Sequence, residues 1–151
     1  MKVFISYTGS DKDGNDDKEH KDWVKALAAR LRIDGIETTL DQWELNLGDE
    51  LPKFMEEGIR DHDRVLVICT PEYKRKADKR LGGAGYETSQ ITGEILNDFK
   101  RGKFVPVLRK GRREDATPSY LFGKYGVDLR DGNPKQYEME YHKLFNVVHV
   151  G

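Results

Sequence analysis

Seven consecutive residues, Arg64–Thr70 (RVLVICT), set the first constraint on the fold. Between Arg64 and Thr70 the run is continuously apolar, with no alternation of polar and apolar positions. A strand with one wet face alternates, whereas a strand covered on both faces by helices does not. The run therefore predicts a buried strand of a parallel sheet, and a parallel sheet needs crossover helices on either side of it.

The rest of the chain supplies them. Lys2–Ser6 (KVFIS) reads as a short strand that ends at a polar loop, Tyr7–Asp17, rich in Gly, Ser, Asp and Asn. Trp23, Val24, Leu27, Ala28 and Leu31 then recur on one helical stripe, which Gly35 stops. Ile36–Leu40 (IETTL) is a second strand, followed by the loop Asp41–Glu50 and a short helix over Leu51–Ile59 with Pro52 in its first turn. Pro71–Arg80 is polar and basic, and reads as loop or partial helix. Gly82-Gly83-Ala84-Gly85 forms a hinge before a helix over Tyr86–Arg101. Lys103–Leu108 (KFVPVL) is a fourth strand, whose Pro106 places it near an edge or a bulge. Arg109–Thr117 is a charged loop, Gly126–Leu129 a short fifth strand, and Pro134–Val147 a last helix. This alternation gives an α/β three-layer sandwich with a parallel sheet and helices on both faces. Ligands of such sheets sit at the carboxyl ends of the strands, so Tyr7–Asp17, Asp41–Glu50 and Pro71–Gly85 are expected on the functional edge.

Composition removes several classes of function. A chain of 151 residues fits one domain. Lys and Arg total 26 against 27 Asp and Glu, which excludes a strongly basic nucleic-acid binder. The single cysteine, Cys69, excludes a disulfide framework and a Cys-cluster zinc site, and it reads as a core residue. His20, His62, His142 and His149 do not fall at metal-ligand spacing, so no metal is expected. No apolar run reaches the ~20 residues of a membrane span. The first residues enter a strand pattern without a signal-peptide core, and a cytoplasmic domain, one module of a longer protein, is the expectation.

On the Tyr86–Arg101 helix the apolar stripe Ile91, Ile95, Phe99 extends back to Glu87. A carboxylate thus sits on an inward stripe at the helix's first turn, beside a glycine-rich entry. The helix dipole alone favours an acid there, by ~0.3–1 kcal/mol; the stripe and the open entry point to function. Glu94 is the weaker candidate, farther from the strand ends. Tyr7-Thr8-Gly9-Ser10 offers hydroxyls and backbone N–H groups to a phosphate, but Asp11, Asp13, Asp16 and Asp17 crowd the same loop and oppose an anion. Neither GxxxxGK[ST] nor GxGxxG after a strand is present. The first and third strands end in Ser6-Tyr7 and Thr70-Pro71, without the acids that a response regulator needs. Asp41 and Trp43 follow the second strand directly, Trp43 as packed anchor or stacking surface. The basic stretches Lys74–Arg80 and Arg109–Arg113 read as solvated surface.

Four segments together resemble the TIR (Toll/interleukin-1 receptor) family, of the bacterial type that shades into SEFIR-like domains. VFISYTGSDKD resembles the family's opening box, and GIETTLDQWELNLGDELPKFMEEGI its second strand, BB loop and following helix. DRVLVICTPEY resembles the third strand and the turn after it, and GGAGYETSQITGEI the region that carries the family's catalytic glutamate. The resemblance covers Val3 to about Val107. It implies a flavodoxin-like fold with a five-stranded parallel sheet. It also implies an NAD+ nucleosidase releasing nicotinamide and ADP-ribose or a cyclic isomer, with NAD+ as substrate and no separate cofactor. Some bacterial members are toxic effectors in anti-phage defence, switched on by a fused or partner sensor module, and the resemblance implies activity that depends on assembly. The alternative within the family is a non-enzymatic scaffold that works through TIR–TIR contacts. A base-exchange or nucleoside-transferring enzyme with the same glutamate as nucleophile is a third reading.

The family's catalytic glutamate maps onto Glu87. Many members carry a Trp four residues before it; here that position is Gly83, and Tyr86 stands beside the glutamate. The resemblance places Phe4, Tyr7, Thr8, Asp41, Trp43 and Tyr86 around the substrate. It places Glu44, Leu45, Leu47, Gly48 and Asp49 in the loop that completes a second protomer's site.

Overall fold

A computed structural model describes residues 2–11, 13–40, 58, 60–81, 103–121, 123 and 126–149. Five strands form one sheet: β1 (Lys2–Ser6), β2 (Glu37–Thr39), β3 (Arg64–Cys69), β4 (Phe104–Leu108) and β5 (Val127–Asp128). Every pairing is parallel, in the order β2-β1-β3-β4-β5, with Phe4 opposite both Thr39 and Val65 and with Val107 opposite Val127. This is the flavodoxin-like order, which reverses direction at the β1/β3 boundary. Its edge strands are the two shortest, which limits the unpaired backbone presented to other chains.

The expected central strand is observed: Val65 through Cys69 are completely buried. Successive side chains alternate between two cores. One face gathers Val3, Ile5, Leu66, Ile68, Val105 and Val107 beneath helices α1 (Lys18–Ile33) and α4 (Pro134–His149). The other gathers Phe4, Val65, Val67, Cys69, Phe104 and Leu108, with Ala116, Leu121 and Tyr73 packed on them. Tyr73 belongs to helix α2 (Pro71–Leu81), and Ala116 to the one-turn helix α3 (Arg113–Ala116).

Local chemistry explains the boundaries of α1. The Asp17 carboxylate accepts from the His20 N–H at the start, an N-cap. At the end, Ile36 N–H reaches the Leu31 carbonyl and Gly35 N–H that of Arg32, with Gly35 at φ 92°. That pair of bonds is a Schellman motif, and its left-handed residue favours glycine. Tyr141 of α4, buried, donates its hydroxyl to Asp34, and Arg30 lies 3.5 Å over its ring while pairing with Glu138. The two helices are thereby fixed side by side on one face.

Besides the one-turn helix α3 inside the expected charged loop Arg109–Thr117, two sequence expectations need correction. Pro71–Leu81 is a helix rather than loop or partial helix. Thr70 caps it, its hydroxyl accepting from Tyr73 N–H at 3.1 Å, with Pro71 as first helical residue. The second is Arg109, expected on a solvated surface but only 4% exposed. Pro106 is accommodated because β4's neighbour β5 begins opposite Val107, so the missing N–H lies ahead of that short ladder. The expected helices over 51–59 and 86–101 fall almost wholly outside the described residues. Among the described residues, no helix is long and apolar enough to cross a membrane.

Candidate functional site at the carboxyl edge of the sheet

The chain leaves β1 at the β1/β3 reversal, and its strand alternation persists past the sheet. Ser6, Thr8 and Ser10 face α2, while Tyr7 faces α1. Ser6 Oγ lies 2.7 Å from the Tyr73 hydroxyl. One helical turn further along α2, Lys76 Nζ donates to Thr8 Oγ1 at 2.8 Å and to Ser10 Oγ at 2.6 Å. Side chains on a helix lean toward its N-terminus, so Lys76 reaches back to the strand ends from the second turn. Thr8 and Ser10 are themselves 3.3 Å apart.

Three of the loop's four aspartates are engaged elsewhere, and the fourth is exposed. The loop folds back as a small hairpin, with Ser10 bridged to Asp16 and Gly14 at φ 81° in its tip. The Asp11 carboxylate accepts from the backbone N–H groups of Asp13 and Asn15. Asp16 pairs with Lys21 at 2.8 Å. Asp17 caps α1 and pairs with Lys110 at 3.5 Å, and the His20 N–H bond chiefly holds its carboxyl below the usual range. Asp13 is exposed.

On the α1 side, the His20 ring is 2% exposed, edge-on to Tyr7 at 6.1 Å and stacked on Trp23 at 6.4 Å. Neither of its ring nitrogens has a hydrogen-bond partner among the described residues. Burial, reinforced by the positive charges of Arg109 and Lys110, pushes its imidazole down to about 4. The Arg109 guanidinium lies 4.6 Å over Trp23 and bonds to Asp131 at 3.0 Å.

Of the residues singled out in the sequence, the structure brings Tyr7 and Thr8 to this edge, both half-buried. Phe4 lies one step deeper, fully buried in the second core cluster and 5.3 Å from the His62 ring. Its ring occupies the space left by Gly58, where a Cβ would overlap it. Asp41, Trp43, Glu44, Leu45, Leu47, Gly48, Asp49, Tyr86 and Glu87 lie outside the described residues. Sequence reasoning singled out Ser10 only within the loop Tyr7-Thr8-Gly9-Ser10 and missed Tyr73 and Lys76, which bond to Ser6 and Ser10 respectively. The signal was present: Thr70-Pro71-Glu72 is a helix start, and positions 73 and 76 then share a face. Among the described residues, no group of three or more His, Cys, Asp or Glu is placed to hold a metal ion.

Residues 3–145 match the TIR domain family. The chain is a TIR domain. Over 112 residues, 74% of its length, it is 36% identical to the 2′ cyclic ADP-D-ribose synthase BtTIR of Bacteroides thetaiotaomicron. Over 113 residues, 75% of its length, it is 24% identical to the 2′ cyclic ADP-D-ribose synthase AbTIR of Acinetobacter baumannii (strain 1295743). These matches cover 34% and 36% of the two proteins, so the chain spans about a third of the length of the curated relatives it matches. Among solved structures, a prokaryotic SEFIR domain superposes with a TM-score of 0.71 at 34% identity, covering 97% of this chain and 91% of that one. The TIR domain of the Toll-related receptor TRR-2 from Hydra magnipapillata shares the fold, with a TM-score of 0.63 at 16% identity and 97% coverage of both chains.

Proposed function

We propose that this TIR domain cleaves NAD+, releasing nicotinamide and closing the remaining ADP-ribose into a cyclic isomer or passing it to water. The observation that carries the reading is the 36% identity to a 2′ cyclic ADP-D-ribose synthase over 74% of the chain. The switch-point edge of the sheet, with hydroxyls and a lysine gathered at the end of β1, is the place where such a fold receives a ligand.

The reaction breaks the bond between nicotinamide nitrogen and ribose C1′. The bonding pair leaves with nicotinamide, a neutral product that needs no general acid. The ribose develops oxocarbenium character, as in glycoside hydrolysis. An ionised Glu87 stabilises that charge and orients the ribose hydroxyls. Capture by water gives ADP-ribose and a proton; capture by a hydroxyl of the same molecule gives the cyclic product, again releasing a proton. Tyr7, Thr8, Asp41, Trp43 and Tyr86 line the substrate, and Phe4 supports that lining from beneath. Glu44, Leu45, Leu47, Gly48 and Asp49 reach a second protomer, so activity rises with self-association. A sensor module that drives assembly would make NAD+ loss a defence response, including against phage.

The test follows nicotinamide release from NAD+ chromatographically across a wide protein concentration range, for wild type and Glu87→Gln. Turnover that rises steeply with concentration and falls about a hundredfold or more in the variant supports the reading. Assembled protein that leaves NAD+ intact refutes it and favours the scaffold role. A covalent sugar adduct trapped on Glu87 would instead establish the nucleophilic variant.

A further inference from the structure

We infer that Lys76, Thr8 and Ser10 form an anion cradle that takes the pyrophosphate of a dinucleotide. The inference deepens the proposed reaction by naming which part of NAD+ docks at the end of β1, and its link to catalysis rests on that reading.

The argument begins with the charge on Lys76. Lys76 is half-buried, and its ammonium bonds to two neutral hydroxyls. Among the described residues, no carboxylate lies within ion-pairing distance of it. Every other lysine or arginine of α2 with a described side chain has a carboxylate: Lys74 pairs with Asp78 at 2.5 Å and Arg75 with Glu72. The acids whose fields reach this corner, Glu72 and Asp11, are held respectively by Arg75 and by two backbone N–H groups. A partly desolvated cation with only neutral acceptors retains an unmet attraction for an anion.

The hydroxyls complete the donor set. An ammonium has no acceptor lone pair, so Thr8 and Ser10 both accept from Lys76. Their own protons remain to be directed outward, with one of them able to bridge the pair at 3.3 Å. The cradle thus presents an ammonium and hydroxyl donors at the carboxyl end of β1, on the β1/β3 crevice. A pyrophosphate, with many acceptor oxygens and a high charge, is matched to it. The Asp-rich loop had counted against an anion here, but Asp16 and Asp17 are paired with Lys21 and Lys110.

The test uses the intact domain, inorganic pyrophosphate as probe, and backbone amide shifts read by NMR. The expected result is saturable shifts at Thr8, Gly9 and Ser10 that weaken as salt rises. Lys76→Met should weaken binding about tenfold or more, and Lys76→Arg should stay within about threefold of wild type. If Lys76→Met does not fold, the Thr8→Val, Ser10→Ala double variant removes the hydroxyls without touching the charge and should weaken binding in the same direction. Absent saturation in wild type, or equal binding by wild type and Lys76→Met, overturns the inference. A Lys76-dependent rise in KM for NAD+, with none for nicotinamide riboside, ties the cradle to the dinucleotide's phosphates. Pyrophosphate binding that depends on Lys76 in a protein that never cleaves NAD+ leaves the cradle standing and removes the enzymatic reading. NAD+ cleavage with pyrophosphate binding indifferent to Lys76 does the reverse.

Discussion

Replacing His20 by Phe should flatten the acid side of this protein's stability profile. The ring is buried between Tyr7 and Trp23, with Arg109 and Lys110 as the cations and Asp17 as the anion in its field. Burial is the largest influence and lowers its imidazole from 6.5 to about 4. A base with a depressed folded-state value binds its proton more readily in the unfolded chain. Its neutral form therefore carries full stability above 6.5, and that stability is lost as pH falls from 6.5 toward 4. The difference amounts to about 0.8 kcal/mol at pH 6 and about 2 kcal/mol at pH 5, approaching about 3 kcal/mol at the lower limit. Phe cannot titrate, and among the described residues neither ring nitrogen of His20 makes a hydrogen bond that Phe would forfeit. A packing cost from the larger ring is independent of pH and displaces the curve without bending it. The lowering of His62, also chiefly by burial, is common to both proteins and cancels in the difference. Urea unfolding followed by tryptophan fluorescence from pH 7.5 to 5 measures that difference. Parallel curves for wild type and His20→Phe would show that the imidazole takes up its proton as readily in the fold as in the unfolded chain, and the reasoning would fail.

Two further outcomes rest on single contacts. A Cβ at Gly126 would overlap the Pro106 carbonyl oxygen. That obstacle is backbone inside a buried strand, so Gly126→Ala should cost about 1–3 kcal/mol by separating β5 from β4, read as a lower midpoint in thermal unfolding. The Cys69 thiol is fully buried and pushed up to about 12 by burial, so a disulfide reagent added to native protein should find it unreactive until the chain unfolds.

Much of the architecture is legible because local pattern and burial agree. The unbroken apolar run of β3 requires two covered faces, and it has them. The α1 stripe requires one covered face, and Gly35 supplies the left-handed residue that ends the helix. The sequence of α2 is harder to read because most of its positions are charged. Its signals are a cap at Thr70, a proline after it, and Tyr73 and Ala77 four residues apart. Arg109 is hidden for a different reason. Its burial depends on Trp23 and Asp131, each distant along the chain. A basic cluster shows no sign of which member a tertiary contact will draw inward, and Asp131 remains 72% exposed while anchoring it.

The loop after β1 shows why counting charge misjudges a site. Four aspartates in a seven-residue stretch suggest a field hostile to phosphate. Yet a carboxylate that caps a helix or holds a cation has its field largely neutralised at close range, and solvent screens the remainder. What decides the local chemistry is which charges stay uncompensated after the chain has satisfied its own caps, turns and ion pairs. In this corner Asp17 caps α1 and pairs with Lys110, Asp11 closes the Asp11–Asn15 turn, Asp16 pairs with Lys21, and Asp13 is exposed to solvent. Lys76, among the described residues, is left with hydroxyls alone. Among the described residues, the uncompensated charge at that corner is therefore that of Lys76, despite the acids counted in the loop.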